Sequence, residues 1–160
     1  MSEKFTHLDA SGNPSMVDVG TKKITHRVAK ARSIVVVDEK ILAQLENDEI
    51  HTKKGPVFQT AIIAGVMGAK KTSDLIPLCH PLGLDNCQIK IHINEQKEIV
   101  VDCTASLTAK TGVEMEALTG ASVAALTIYD MCKAFSHHIV IKETKLMEKT
   151  GGKKDFKRVE

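Results

Sequence analysis

The most telling hydrophobic pattern lies at residues 111–135, TGVEMEALTGASVAALTIYDMCKAF. It opens with Thr111-Gly112 and runs on without Pro, rich in Ala, Leu and Met, which predicts one long helix. Leu118, Gly120, Ala121, Val123, Ala124, Ala125, Leu126 and Ile128 leave its middle without a polar face, so the helix needs cover on both sides. Charge collects at the ends instead, with Glu114 and Glu116 at the start and Asp130 and Lys133 at the finish. Glu116 and Asp130 fall on nearly the same face, about 21 Å apart along the axis.

Elsewhere the pattern has a different period. Residues 1–20 are polar, with a turn at Ser11-Gly12-Asn13-Pro14 and a short apolar island, Met16 to Val19, that reads as an edge strand or an ordered arm. From 23 to 37 a strand is predicted, with Ala29, Ala31, Ser33, Val35 and Val37 on one side and His26, Lys30 and Arg32 on the other. Asp38 can cap a short helix over 39–47, a polar loop follows to 56, and 57–71 reads as a second helix. In that helix Ala61, Ala64, Gly65 and Gly68 leave room for close packing. Residues 72–86, with two Pro and one Gly, cannot continue a regular helix. Ile89, Ile91 and Ile93 alternate with Lys90, His92 and Asn94 in a strand that turns at 94–97 and returns over 98–108 as a hairpin. A last strand is expected over 138–146. The order predicts an α+β fold, a ferredoxin-like β-α-β-β-α-β sandwich with a four-stranded antiparallel sheet and both helices on one face. The chain reads as one domain over 1–160, with 153–160 a flexible basic tail.

Composition narrows the function. Hydrophobic residues make up 42% and charged residues 26%, as in an ordinary globular protein, and the net charge of +2 is too small to imply nucleic acid. With no Trp, one Tyr and four Phe, the chain lacks stacking platforms for single strands. The first residues hold no apolar signal core and no stretch is apolar enough to span a bilayer, so neither nucleic acid nor membrane is an expected partner, and a cytoplasmic location is. Cys79, Cys87, Cys103 and Cys132 show no C-x-x-C spacing and read as reduced thiols.

Three places offer chemistry. His80 is fixed between Pro77 and Pro81, either as a hydrogen-bonded turn residue or as a ligand contact; adjacent Cys79 and His80 are poorly placed to share one metal. Lys70 and Lys71 suit a helix C-terminus, whereas Lys53, Lys54 and Lys149 have no such structural reason and are candidates for phosphate oxygens. Asp130 opposes the dipole at its end of the long helix, and Lys133, three residues on, is its neighbour. No G-x-x-x-x-G-K-S/T or G-x-G-x-x-G is present.

Leu78-Cys79-His80-Pro81-Leu82, the segment KTGVEMEALTGASVAALTIYDMCKA at 110–134 and Lys149-Thr150-Gly151-Gly152 together resemble the molybdenum cofactor biosynthesis protein C family, the cyclic pyranopterin monophosphate synthases. The resemblance runs from THLDASGNPSMVDV near the start to the GGK at 151–153. It implies a lyase that takes a cyclised dihydro-GTP made by a radical enzyme, rearranges it to a pyranopterin, closes a cyclic phosphate and releases pyrophosphate, with no metal or organic cofactor. It also implies a homo-oligomer, a hexamer built as a trimer of dimers, with the active site near a dimer interface. Residue by residue, the catalytic pair falls on Asp130 and Lys133. Substrate contacts fall on Leu78, Cys79, His80, Met115 and Glu116, with Glu114, Lys54, Arg27, Lys70 and Lys149 lining the pocket. Where many relatives continue Gly-Gly-Lys-Ser-Gly, this chain has Gly151-Gly152-Lys153-Lys154-Asp155. In that setting a partly desolvated Lys133 among other cations is expected to fall toward neutral pKa and shuttle protons.

Overall fold

Strand β1, Thr25–Val36, organises the sheet, because its odd-numbered side chains are the buried ones: Ala29, Ala31, Ser33 and Val35 are all 1% exposed or less. It pairs antiparallel with β6, Ile99–Ala109, on one side and with β7, Val140–Thr150, on the other. Strand β5, Asn86–Ile93, lies outside β6, and the two form a hairpin whose turn places Lys97 at φ 60°. The computed structural model describes residues 7–159, so residues 1–6 of the expected arm and the last residue of the tail lie outside it.

The fold is α+β with antiparallel sheets. The main sheet runs β5-β6-β1-β7-β8 and has five strands, not the four expected. The addition is β8, Phe156–Lys157, which pairs with β7 inside the stretch read as a flexible tail; the Nε of Arg158 also donates to Leu146 O (2.9 Å). The last long strand starts later and runs further than predicted, so Lys149 belongs to β7 rather than to a loop.

The larger correction concerns 39–56. Helix α1 is a single turn, Glu39–Leu42, capped by Asp38 as predicted. The end of the expected helix and the supposed polar loop together form a small second sheet of β2 (Leu45–Glu46), β3 (Glu49–Thr52) and β4 (Gly55–Pro56). Asn47 and Asp48 both adopt positive φ, 51° and 60°, the geometry of the tight turn that suits a two-residue hairpin. The apolar island Met16–Val19 forms no strand; it is an arm tied down where the His80 ring meets Val17 O.

Helices α2, Val57–Lys70, and α4, Glu114–Cys132, pack against each other and onto one side of the main sheet, α4 over β1, β6 and β7 and α2 over β5. Their contact is close because it is built on glycine. A Cβ on Gly65 would lie 2.8 Å from Gly120 O, and one on Gly120 would lie 2.7 Å from Cys103 Sγ. Between the helices' junction and β5 the one-turn α3, Thr72–Leu75, leads into the Pro-containing loop. Sheet and α2 cover much of α4, yet Leu126 on α4 and Ile63 and Met67 on α2 remain exposed. No helix among the described residues is long and apolar enough to cross a membrane.

Candidate active site

The two ends of α4 carry two separate groups of polar residues. At its start, Leu78, Cys79 and His80 of the Pro-containing loop meet Glu114, Met115 and Glu116 around a hollow of about 560 Å³, with Lys149 on its rim. Val113 gives α4 no side-chain cap, so the N–H groups of its first turn are not satisfied by a capping side chain. Next to it lies a smaller hollow of about 400 Å³ lined by Arg27, Glu114, Lys149 and three cations the sequence did not single out, Lys22, Lys153 and Lys154. Lys22 was hidden in a polar run beside the predicted start of β1. Lys153 closes the GGK at 151–153, and Lys154 stands where the chain departs from Gly-Gly-Lys-Ser-Gly.

Electrostatics differ residue by residue here. Glu116 is 4% exposed, and burial, reinforced by Glu114, raises its carboxyl above the usual range. Burial and then the charge of Glu116 push the Cys79 thiol up, so this cysteine is no thiolate nucleophile. His80 Nε2 is 2.8 Å from Val17 O; a carbonyl only accepts, so Nε2 carries a proton and Nδ1 is the nitrogen left for another contact. Lys149 Nζ lies 3.0 Å from Glu114 Oε1. Arg27 donates through one terminal nitrogen to Lys110 O (3.2 Å), while its Nε is buried without a partner.

At the other end, Asp130 sits between two ammonium groups. Lys133 Nζ is 2.7 Å from its Oδ1 and Lys54 Nζ is 2.9 Å from its Oδ2, all three side chains being about half exposed. Lys133 and then Lys54 hold the Asp130 carboxyl down at about 2. Lys133 is shifted upward, not toward neutrality as expected, because the Asp130 carboxylate is the nearest charge to it and favours its protonated form. A hollow of about 640 Å³ opens here, floored by Met131, Ala134 and Phe135 and edged by Lys53 and His137 as well as the triad of charges. Lys53 is a phosphate candidate from sequence alone, whereas Met131, Ala134, Phe135 and His137 are ordinary core or surface types until the fold assembles them.

Of the twelve candidate residues, then, eight gather at the start of α4 and three at its end. Lys70 stands apart, at the last turn of α2 beside a hollow lined by Val66, Leu84 and Cys87; that hollow shares Leu82 with the first one. The two ends of α4 share no lining residue.

A profile of the MoaC family matches residues 16–152. The chain is 49% identical, over 95% of its length, to Molybdenum cofactor biosynthesis protein 1 of Dictyostelium discoideum, of which it spans 27%. It is 56% identical, over 94% of its length, to a Molybdenum cofactor biosynthesis bifunctional protein of Synechocystis sp., of which it spans 45%. A Cyclic pyranopterin monophosphate synthase of Xanthomonas campestris is 50% identical over 97% of this chain, which spans 94% of that relative. The chain thus covers less than half of the two longer relatives and nearly all of the third.

Proposed function

The chain belongs to the MoaC family, and on that premise we propose that it is a cyclic pyranopterin monophosphate synthase, converting a cyclised dihydro-GTP to the cyclic pyranopterin monophosphate with release of pyrophosphate. The observation that carries this reading is the meeting of Lys54 with Asp130. Seventy-six positions separate them in the chain, and nothing local in the sequence pairs Lys54 with Asp130, yet its ammonium lies 2.9 Å from the Asp130 carboxylate.

The residues divide the work by their charge state. Asp130, held as an anion, accepts a proton from the substrate, and Lys133, held protonated beside it, donates one. Arg27, Lys149, Lys22 and Lys153 surround an uncapped helix start and neutralise the triphosphate and the departing pyrophosphate. Glu116, whose raised carboxyl suits proton exchange nearer neutral pH, and Nδ1 of His80 address the purine and ribose. No cofactor enters this scheme. The main-sheet order, with β8 as an added edge, fits a ferredoxin-like sandwich. The exposed Leu126, Ile63 and Met67 fit a homo-oligomeric, hexameric assembly, and a radical enzyme would supply the substrate in the cytoplasm.

The test is turnover. Protein mixed with the cyclised nucleotide should release pyrophosphate, and Asp130→Ala and Lys133→Ala should fold normally while losing about 100-fold or more of that rate. Near-native turnover in either variant would remove that residue from the chemistry; no pyrophosphate from the native protein would sink the function itself.

A further inference from the structure

Glu49 carries no role in anything above, yet its side chain is one of the few buried charged ones, 8% exposed at the start of β3. Oε1 accepts from Ile50 N (2.8 Å) and from Phe58 N (2.7 Å), and Oε2 accepts from Gln59 N (3.1 Å). Phe58 and Gln59 are in the first turn of α2, whose own cap position, Pro56, offers no side-chain hydrogen bond and whose first turn contains no acid. Glu49 therefore does from another element what a capping residue does locally, satisfying two open N–H groups and facing the positive end of the helix dipole.

The position matters more than the cap. Between Glu49 and the helix it binds lies the β3–β4 hairpin, which is held by only two residue pairs, His51 with Pro56 and Thr52 with Gly55. A ribbon that short does not hold its own shape in water. Lys54 sits at its tip, its backbone N–H donating to Thr52 Oγ1 (3.0 Å) and its ammonium reaching Asp130. Glu49 closes the base of this hairpin onto α2, while Ile50 beside it is fully buried. The Glu49 charge is also felt on α4: after burial, it is the second cause that pushes the Cys132 thiol up to about 11.

We propose that Glu49 is a positioning residue: it clamps the β3–β4 hairpin to the start of α2 so that Lys54 is delivered to Asp130 at the end of α4. Its importance for turnover rests on the reading of Asp130 and Lys133 as the acid–base pair, but the clamp itself does not. The conservative change is Glu49→Gln, which keeps the shape but turns an NH₂ toward backbone N–H groups that need an acceptor.

Four variants separate positioning from mere stability. In Glu49→Gln, as in Lys54→Ala, the Asp130 carboxyl should titrate above its native value of about 2, read by carbon-13 NMR, because one of its two ammonium partners is lost or misplaced. Turnover should fall in both by on the order of 10-fold, and the double variant should lose no more than either alone, since both changes remove the same contact. Adding Pro56→Asp to Glu49→Gln supplies α2 with a local cap and keeps the protein folded; it should restore the thermal midpoint without restoring the Asp130 titration. A native-like Asp130 titration in Glu49→Gln, or in the Pro56→Asp double variant, would overturn the proposal and leave Glu49 as a cap only. A shifted titration with full turnover would support the clamp and refute any need of turnover for the Lys54–Asp130 contact.

Discussion

If the groups at the two ends of α4 act on one substrate, one copy of the helix cannot supply both, and a second subunit is expected to bring the other end. Glu116 and Asp130 are fourteen residues apart on a continuous helix, about 21 Å, more than a fused-ring nucleotide core spans. A two-fold axis that sets two copies of α4 antiparallel would bring the start of one beside the end of the other, twice over. It would also cover Leu126, Ile63 and Met67, which one chain leaves in water. The perturbation is a pair of variants, Glu116→Gln and Asp130→Ala, each inactive alone; Gln is used at 116 because that side chain is buried and an alanine would leave a void. Each variant should retain no more than about 1% of native turnover, from the usual worth of a general acid or base. After mixing in equal amounts and full exchange, half of the dimers are mixed. Each of these holds one doubly damaged site and one intact site, so about a quarter of native activity should return, far above either parent. The assay is pyrophosphate release at saturating substrate, with exchange verified by native mass spectrometry of an isotope-labelled partner. Verified exchange with activity still at the parental background would refute the shared site, and a loop of the same subunit would then have to complete each end.

Gly120→Val should destabilise the protein by about 1–3 kcal/mol in urea unfolding, because the new Cβ would meet Cys103 Sγ at 2.7 Å and Gly65 O at 3.2 Å; an unchanged midpoint would refute the close helix contact. Burial raises the Glu116 carboxyl above the ordinary 4.5, so the native state keeps a proton that the unfolded chain has already released. Stability should therefore fall as pH rises from 4.5 through the raised native value, and the Glu116→Gln variant should lack that fall in thermal melts compared with native protein. Nucleotide binding should weaken in Lys149→Ala and weaken with added salt in the native protein, and a salt-insensitive isotherm would exclude phosphate charge as the source of affinity.

How much of this could be read from the sequence follows the length of the signal. β1 was legible because five small or apolar residues fall on alternate positions, and burial follows that alternation at Ala29, Ala31, Ser33 and Val35. The β2–β3–β4 sheet was not, because strands of two to four residues are too short for any period to show. Its single clue was Asn47-Asp48, two residues that tolerate positive φ, and those were absorbed into a polar loop. That miss also hid part of the site. Asp130 and Lys133 were visible as an i,i+3 pair on one helix, whereas nothing local connects Lys54 with position 130, and Glu49 looked like one more acid in a polar run. The upward shift of Lys133 is hidden from the sequence for the same reason: the cations are legible there, but the distance of 2.7 Å that lets Asp130 dominate them is not.

The composition of α4 then has a single explanation. A helix that presents an acid near its start and the Asp130–Lys133 ion pair at its finish must be held rigidly along its whole length, or neither end keeps its geometry. Rigid placement requires contact with β1, β6 and β7 on one side and α2 on another, and the approach of α2 requires glycine at 65 and 120. Charged groups in the middle would have to be buried without partners, so the middle is apolar, small or, as at Thr127, hydrogen-bonded to its own helix, and the charges are confined to the two ends. What the sheet and α2 do not cover, Leu126 above all, is then the surface that the shared-site proposal assigns to a second copy.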